Sequence, residues 1–287
     1  MTVTASDVSS LLPTLVAQAL LSSREVGPMV NIVPRYTMEQ GTLTLPEVGA
    51  LTVSALTEGV AINTSKKATV SGVTLTAGKW GGGAMISDEA FERAKNGNFD
   101  LLNEYGVGFG VAYGQEIDGA LVDLFSGLDT HIGSAGTELT LAELLKAPFK
   151  LRAAKIPGPY FGVLHPNQAY NLMKDIVAPD STKGFPYAES LAAMGVDLGK
   201  ADPYFLRNFG GVPFYQDPFI TPDGSDDAYG ACFNPMALAF GVEKDMLIES
   251  EREIGVGWKV VITGRWAVVE RKGTYGTGLL YDAATLS

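Results

Sequence analysis

Apolar positions along the chain follow two different periods. Leu102, Tyr105, Phe109, Tyr113, Ile117, Leu121 and Leu124 recur every three or four residues, which predicts one long helix with a single apolar stripe. Leu11, Leu12, Leu15, Val16, Ala19 and Leu20 predict a shorter amphipathic helix within residues 5–24, which Gly27-Pro28 ends. Between these helices the period falls to two. MVNIVPR and GTLTLPEV read as short extended runs, followed by EGVAINTSKKATVSGVTLTAGKWGGG at residues 58–83. Val60 and Ile62 alternate outward, Lys66 and Lys67 mark a turn, and Ala68, Val70, Val73 and Leu75 alternate back. The parity slips at Ser71-Gly72, which predicts a β-bulge. A two-stranded ribbon is marginal alone in water, so this one needs cover from elsewhere in the chain or from another subunit.

Residues 146–245 mix both periods. PYFGVLH reads as a buried strand and PNQAYNLMKDIV as a helix with Pro166 in its first turn. GGVPFYQDPFIT and AYGACF read as further strands, with PDGSDD as a turn between them. The end is β-rich: MLIESERE, WKVVITG and RWAVVERKG, then an apolar segment GLLYDAATLS.

Glycines change the reading of the long helix. Gly106, Gly108, Gly110, Gly114 and Gly119 lie inside it, and each costs about 1 kcal/mol against Ala. They are expected where something packs very close. Although GVGFG resembles a glycine-rich phosphate loop, such a loop sits between a strand and a helix start, not within a helix.

Composition then narrows the chemistry. The 287 residues carry a net charge of −11, and no basic run exceeds the pair Lys66-Lys67, which argues against tight nucleic-acid binding. No window reaches the roughly 20 apolar residues of a membrane helix. The N-terminus lacks the basic start of a secretory signal and carries Asp7, so a cytosolic product is expected. Cys232, the single cysteine, excludes an internal disulfide and reads as a buried inert thiol. His131 and His165 have no metal-ligand spacing, and His165 reads as a capping histidine at a strand-to-helix junction. Asp223, Asp226, Asp227, Glu249, Glu251 and Glu253 read as solvated turn and strand faces, not a calcium loop. No catalytic, cofactor or metal residue is assigned, and no enzyme activity is expected.

The order of these elements is similar to that of tailed-bacteriophage major capsid proteins with the Hong Kong 97-like fold. The resemblance rests on an arm, the strands around LTLPEVGAL and a hairpin starting at Glu58-Gly59. A serine-led helix at ISDEAFERA, one long helix, the HPNQ junction and returning strands follow. It implies an α+β chain divided into segments. Residues 1–35 would be an N-terminal arm, 36–53 the first strands of a peripheral domain, and 54–86 an extended loop. Residues 87–145 would be peripheral domain with a spine helix near 98–128, and 146–245 a mixed α/β axial domain. Residues 246–275 would return to the peripheral domain, and 276–287 would close the axial domain.

On this resemblance the protein is a virion component, assembled in the host cytoplasm as hexamers and pentamers of itself into an icosahedral head around double-stranded DNA. The DNA is held without sequence-specific binding, and an acidic wall suits a genome that must slide. The resemblance implies a separate scaffold protein or prior proteolysis of a scaffolding segment, the sequence not deciding between them, with a portal and a decoration protein as further partners; a membrane is not implied. Val60, Ile62, Lys66, Lys67, Val70, Val73, Leu75 and Trp80 become expected intersubunit contacts. Gly81, Gly82 and Gly83 become an expected hinge, and Gly106, Gly108, Gly110 and Gly114 the close-packing face of the spine helix. Lys66 and Lys67 are expected to form salt bridges or aid solubility, not a covalent crosslink. Two alternatives stand beside this reading: an encapsulin-type nanocompartment shell, and an α/β enzyme with His165 in its site.

Overall fold

In the chain's returning strands, β-branched and aromatic residues alternate with charged ones, and that alternation builds the larger hairpin of the molecule. In a computed structural model, which describes residues 19, 27–48, 58, 70–90, 101–177, 204–253 and 256–284, β10 (Leu238–Glu253) pairs antiparallel with β11 (Gly257–Glu270). Met246, Ile248, Val260 and Ile262 point to a core, while Glu249, Glu251 and Glu253 are exposed. The register shifts between Val242 and Lys244 and again before Leu247. β1 (Arg35–Thr37) adds in parallel to β10, and β4 (Gly78–Ser87) adds antiparallel to β11, giving the order β1-β10-β11-β4.

The long helix α2 (Leu101–Asp123) follows its apolar stripe. Before it the chain forms a short helix α1 (Met29–Ile32), and after it a 3-10 turn at Leu124–Gly127. Tyr105, Phe109 and Tyr113 lie against Ile86, Met246, Ile248, Val260 and Ile262 of the four-stranded sheet. At Gly264 a Cβ would strike the Tyr113 hydroxyl, so a glycine on β11 is what admits the ring. That enclosure, with Asp245 adding and Arg35 opposing, pushes the Tyr113 phenol up to about 12.

A second, six-stranded sheet has the order β5-β12-β9-β6-β8-β7. Its strands are β5 (His131–Gly133), β6 (Phe161–Leu164), β7 (Phe205–Phe209), β8 (Val212–Gln216), β9 (Asp227–Phe233) and β12 (Gly276–Asp282). Helices α3 (Leu141–Ala153) and α4 (Pro166–Val177) accompany it, with Leu144, Ala147, Leu151 and Leu172 packed on Val212, Phe214 and Leu279. The end of α2 belongs to both sheets' packing: Ile117, Leu121 and Phe125 meet Val163, Ala231 and Phe233 on one side and Phe240 and Trp266 on the other.

Several boundaries differ from the sequence reading. The arms of the ribbon are β2 (Thr42–Val48) and β3 (Val70–Thr76), paired from Thr42–Thr76 to Val48–Val70. Their pairing is symmetric about position 59, not about Lys66-Lys67, because GTLTLPEV is the partner strand of VSGVTLT. The ladder is continuous through Ser71-Gly72, opposite Glu47 and Pro46, so no bulge forms there. Residues 238–245 already run in the four-stranded sheet, and β5 and α3, placed with the peripheral segment by sequence, join the six-stranded sheet instead. WKVVITG and RWAVVE are one strand passing through Gly264.

Candidate assembly surfaces

The ribbon has two chemically distinct faces. Thr42, Thr44, Thr74 and Thr76 are exposed, with the Thr44 and Thr74 hydroxyls 3.1 Å apart. Leu43 and Val73 are half-buried, and Leu45 and Leu75 are buried with Met38 and Ala239. Leu75 is only 1% exposed. It is therefore a core residue of its own chain and not the intersubunit contact expected from the sequence, because β10 runs directly beneath it. Lys272 and Glu47 form an ion pair of 3.2 Å beside the same base. Val60, Ile62, Lys66 and Lys67 lie outside the described residues, and of Val70 only the backbone pairing with Val48 is described.

The three glycines after the ribbon do not end it. Gly81, Gly82 and Gly83 pair with Thr263, Ile262 and Val261 in the middle of β4. A Cβ at Gly81 would lie 2.6 Å from the Ile262 carbonyl oxygen and one at Gly83 3.1 Å from that of Val260, so close strand approach is the local reason for them. The hinge expected there has to work within a hydrogen-bonded strand. Trp80 stacks on Trp266 of its own chain, while 38% of its surface stays exposed. Met85 on the same edge strand is exposed as well.

On α2, Gly106, Gly110 and Gly114 are buried, one turn apart along a single face. Gly108 is exposed, and among the described residues nothing lies within 4 Å of where its Cβ would be. It therefore falls off the close-packed face to which the sequence reading assigned it.

The remaining chemical candidates resolve as structural. Half-buried His165 accepts the Asn167 N–H on Nδ1 at 3.2 Å, and its own N–H meets Gln168 Oε1 at 3.3 Å, so the ring caps α4. Burial holds the imidazole below its usual range. Cys232 is buried and its thiol is pushed up to about 12 by that burial. Exposed His131 meets the Tyr229 ring edge-on. Asp223 Oδ1 accepts the N–H groups of Ser225 and Asp227, and Asp227 Oδ1 that of Gly136. These acids hold a turn. Among the described residues no cluster of three metal-ligating side chains occurs, and no helix is long and apolar enough to cross a membrane.

The described residues thus bring together a ribbon packed at its base on β10, a long helix shared by two sheets, and an edge strand that leaves Trp80 and Met85 exposed. A sequence profile of the family described as phage capsid protein matches residues 71–276. The chain belongs to the phage capsid protein family.

This capsid shell protein has no match among curated protein sequences. Its fold is shared with that of a protein of Mycobacterium phage Che8, at 16% identity and TM-score 0.67, over 88% of this chain and 90% of that one. It is also shared with the acidic stable capsid of Helicobacter pylori bacteriophage KHP30, at 12% and 0.67, over 90% and 91%. The SrpI encapsulin of Synechococcus elongatus PCC 7942 is similar at 8% and 0.67, over 92% and 91%. The fold is thus the Hong Kong 97-like capsid fold, mixed in α and β, and the protein is a structural component of the virion capsid that self-assembles.

Sequence reasoning overlooked several groups in this capsid protein. Gln168 is buried and donates to the carbonyls of Ala228 (2.7 Å) and Tyr281 (3.0 Å), while Asn167 donates to those of Ala283 and Ala284. HPNQ is therefore a clamp that joins β6, α4, β9 and β12. Asp118 and Asp217 are also buried. Asp118 stands one helical turn after Gly114 and one before Leu121, a polar residue inside an apolar stripe, and that misplacement was the available signal.

Proposed function

We propose that this chain forms the wall of an icosahedral phage head as hexamers and pentamers around double-stranded DNA, and that the ribbon of residues 42–76 clamps a neighbouring subunit. The observation that carries this reading is the pairing of β2 and β3 as a two-stranded ribbon packed at its base on β10. Their inner residues Leu45 and Leu75 are covered by Met38 and Ala239 of their own chain, and a two-stranded ribbon is marginal in water without cover of that kind. A neighbour's surface supplies the missing cover. The net charge of −11 suits a wall along which DNA slides. A separate scaffold protein, a portal and a decoration protein complete the assembly, which takes place in the host cytoplasm.

The position of Leu75 decides how to test the clamp. A deletion reaching residue 80 would remove β3 and Trp80 and unfold the base, so residues 49–69 are the segment to replace with a short turn. The shortened subunit is expected to melt like wild type and to stay unassembled in sedimentation and negative-stain microscopy. Normal shells from it would overturn the clamp.

A second reading, an encapsulin-type nanocompartment, is favoured only by the SrpI likeness at 8% identity. Particles from the native source distinguish the two. Double-stranded DNA inside supports the phage head, and an enclosed enzyme supports the nanocompartment.

A further inference from the structure

Asp118 and Asp217 meet where three parts of the chain converge. Both are fully buried. Asp118, on α2, accepts the Met29 N–H on Oδ1 at 3.0 Å, and a Cβ on Gly27 would strike its Oδ2. Asp217 directly follows β8. Its N–H donates to the Leu164 carbonyl at 2.9 Å, and its Oδ1 accepts the Phe219 N–H at 2.9 Å. The two carboxyls are close enough to act on each other's protonation. Each has a buried Oδ2 with no hydrogen-bond partner among the described residues.

Two adjacent carboxylates cannot both remain ionised in a dry interior, whereas a carboxylic acid donating to a carboxylate forms a short, strong bond. We propose that Asp118 and Asp217 share a single proton as a latch fastening α2 and the start of α1 to the six-stranded sheet, and that alkaline pH opens the latch. Burial, then Asp217 itself, raises Asp118 from 3.8 to about 9, and burial raises Asp217 as well. In the opposite sense act the Val30 and Met29 N–H groups on Asp118, and the Asp118 side chain and then the Phe219 N–H on Asp217. Among the described residues, neighbouring elements bring little else. Glu104, Glu116 and Asp123 of α2 and Arg35 beyond α1 are exposed, and half-buried Arg207 on β7 does not act on the pair.

The direction follows from proton counting. Between the ordinary carboxylate value and about pH 9, the closed latch holds a proton that the opened one has lost. Closure is therefore strongest in acid, weakens about tenfold per pH unit from about pH 5 to about pH 9, and then levels off. The latch is internal to one subunit, so its test does not depend on shell formation.

Hydrogen exchange of the intact chain at the Met29 amide and along Val212–Gln216 reads the latch directly, once intrinsic exchange rates are corrected. Wild type is expected to lose protection about tenfold per pH unit across that interval. Asp118→Asn places a permanent amide donor against Asp217, so its protection should not vary with pH. Parallel slopes in the two proteins would overturn the proposal. Should the variant fail to fold, the wild-type infrared spectrum decides alone. A buried protonated carboxylic acid gives a band at neutral pH that vanishes in alkali, and absence of that band at neutral pH sinks the latch.

Discussion

Trp80 and Trp266 stack with ring centroids 4.6 Å apart and planes 12° from parallel. They lie on adjacent strands, and Trp266 is only 1% exposed. Trp80 thus ties the ribbon's exit to the four-stranded sheet within one subunit, and its exposed remainder is free to meet another. Trp80→Ala is expected to cost about 2–3 kcal/mol in urea denaturation, and Trp80→Phe about 1 kcal/mol or less. An alanine variant as stable as wild type would remove the stack from the stability of the base.

The two faces of the ribbon should separate by mutation. Leu75→Ala opens a cavity among Met38, Leu45 and Ala239 and is expected to cost about 3 kcal/mol, against about 0.5 kcal/mol for Thr76→Ala on the outer face. Equal losses at both positions would show that the base is not packed as described.

His165 gives an acid limb of opposite sense to the aspartate latch. Its imidazole is held below 6.5 by burial, so the neutral ring's contribution is present above that value and is lost as pH falls below it. Protonation also removes the Nδ1 acceptor that caps Asn167. His165→Asn should flatten the fall in melting temperature below about pH 6.5 and leave particle assembly intact. Loss of assembly at neutral pH in this variant would give the histidine a role beyond the cap.

Gln168 satisfies two buried carbonyls at once. Gln168→Ala removes the side-chain donor from both and is expected to cost about 1–2 kcal/mol. Gln168→Glu should be no better, since a carboxylate cannot donate to either. Guanidinium denaturation with an unchanged m-value is the measurement that checks both.

Local pattern carried the element types further than it carried their partners. The 3.6-residue stripe from Leu102 to Leu124 marked α2, and alternation marked β3, β10 and β11, because periodicity records which side of an element is wet. It does not record which strand lies next door. VSGVTLT could pair with the stretch just before it or with GTLTLPEV, and only the covering of Leu75 by Met38 and Ala239 selects the second. Gly81–Gly83 read as a break because glycine weakens an isolated strand, yet close approach to the carbonyls of Val260 and Ile262 makes glycine fit there. Asp118 and Asp217, 99 positions apart in the sequence, carry no shared signature at all. Their relation is created by the crossing of α2 over the end of β8.

β12 lies between β5 and β9 in the six-stranded sheet, although it is the final strand of the described chain. A ribosome must therefore move past residue 282 before β5 gains its strand partner and before Gln168 finds the Tyr281 carbonyl. Domains fold as units while synthesis proceeds, and this one is left with a gap in its wall until the closing strand emerges. The six-stranded sheet is thus continuous only once its last strand is in place.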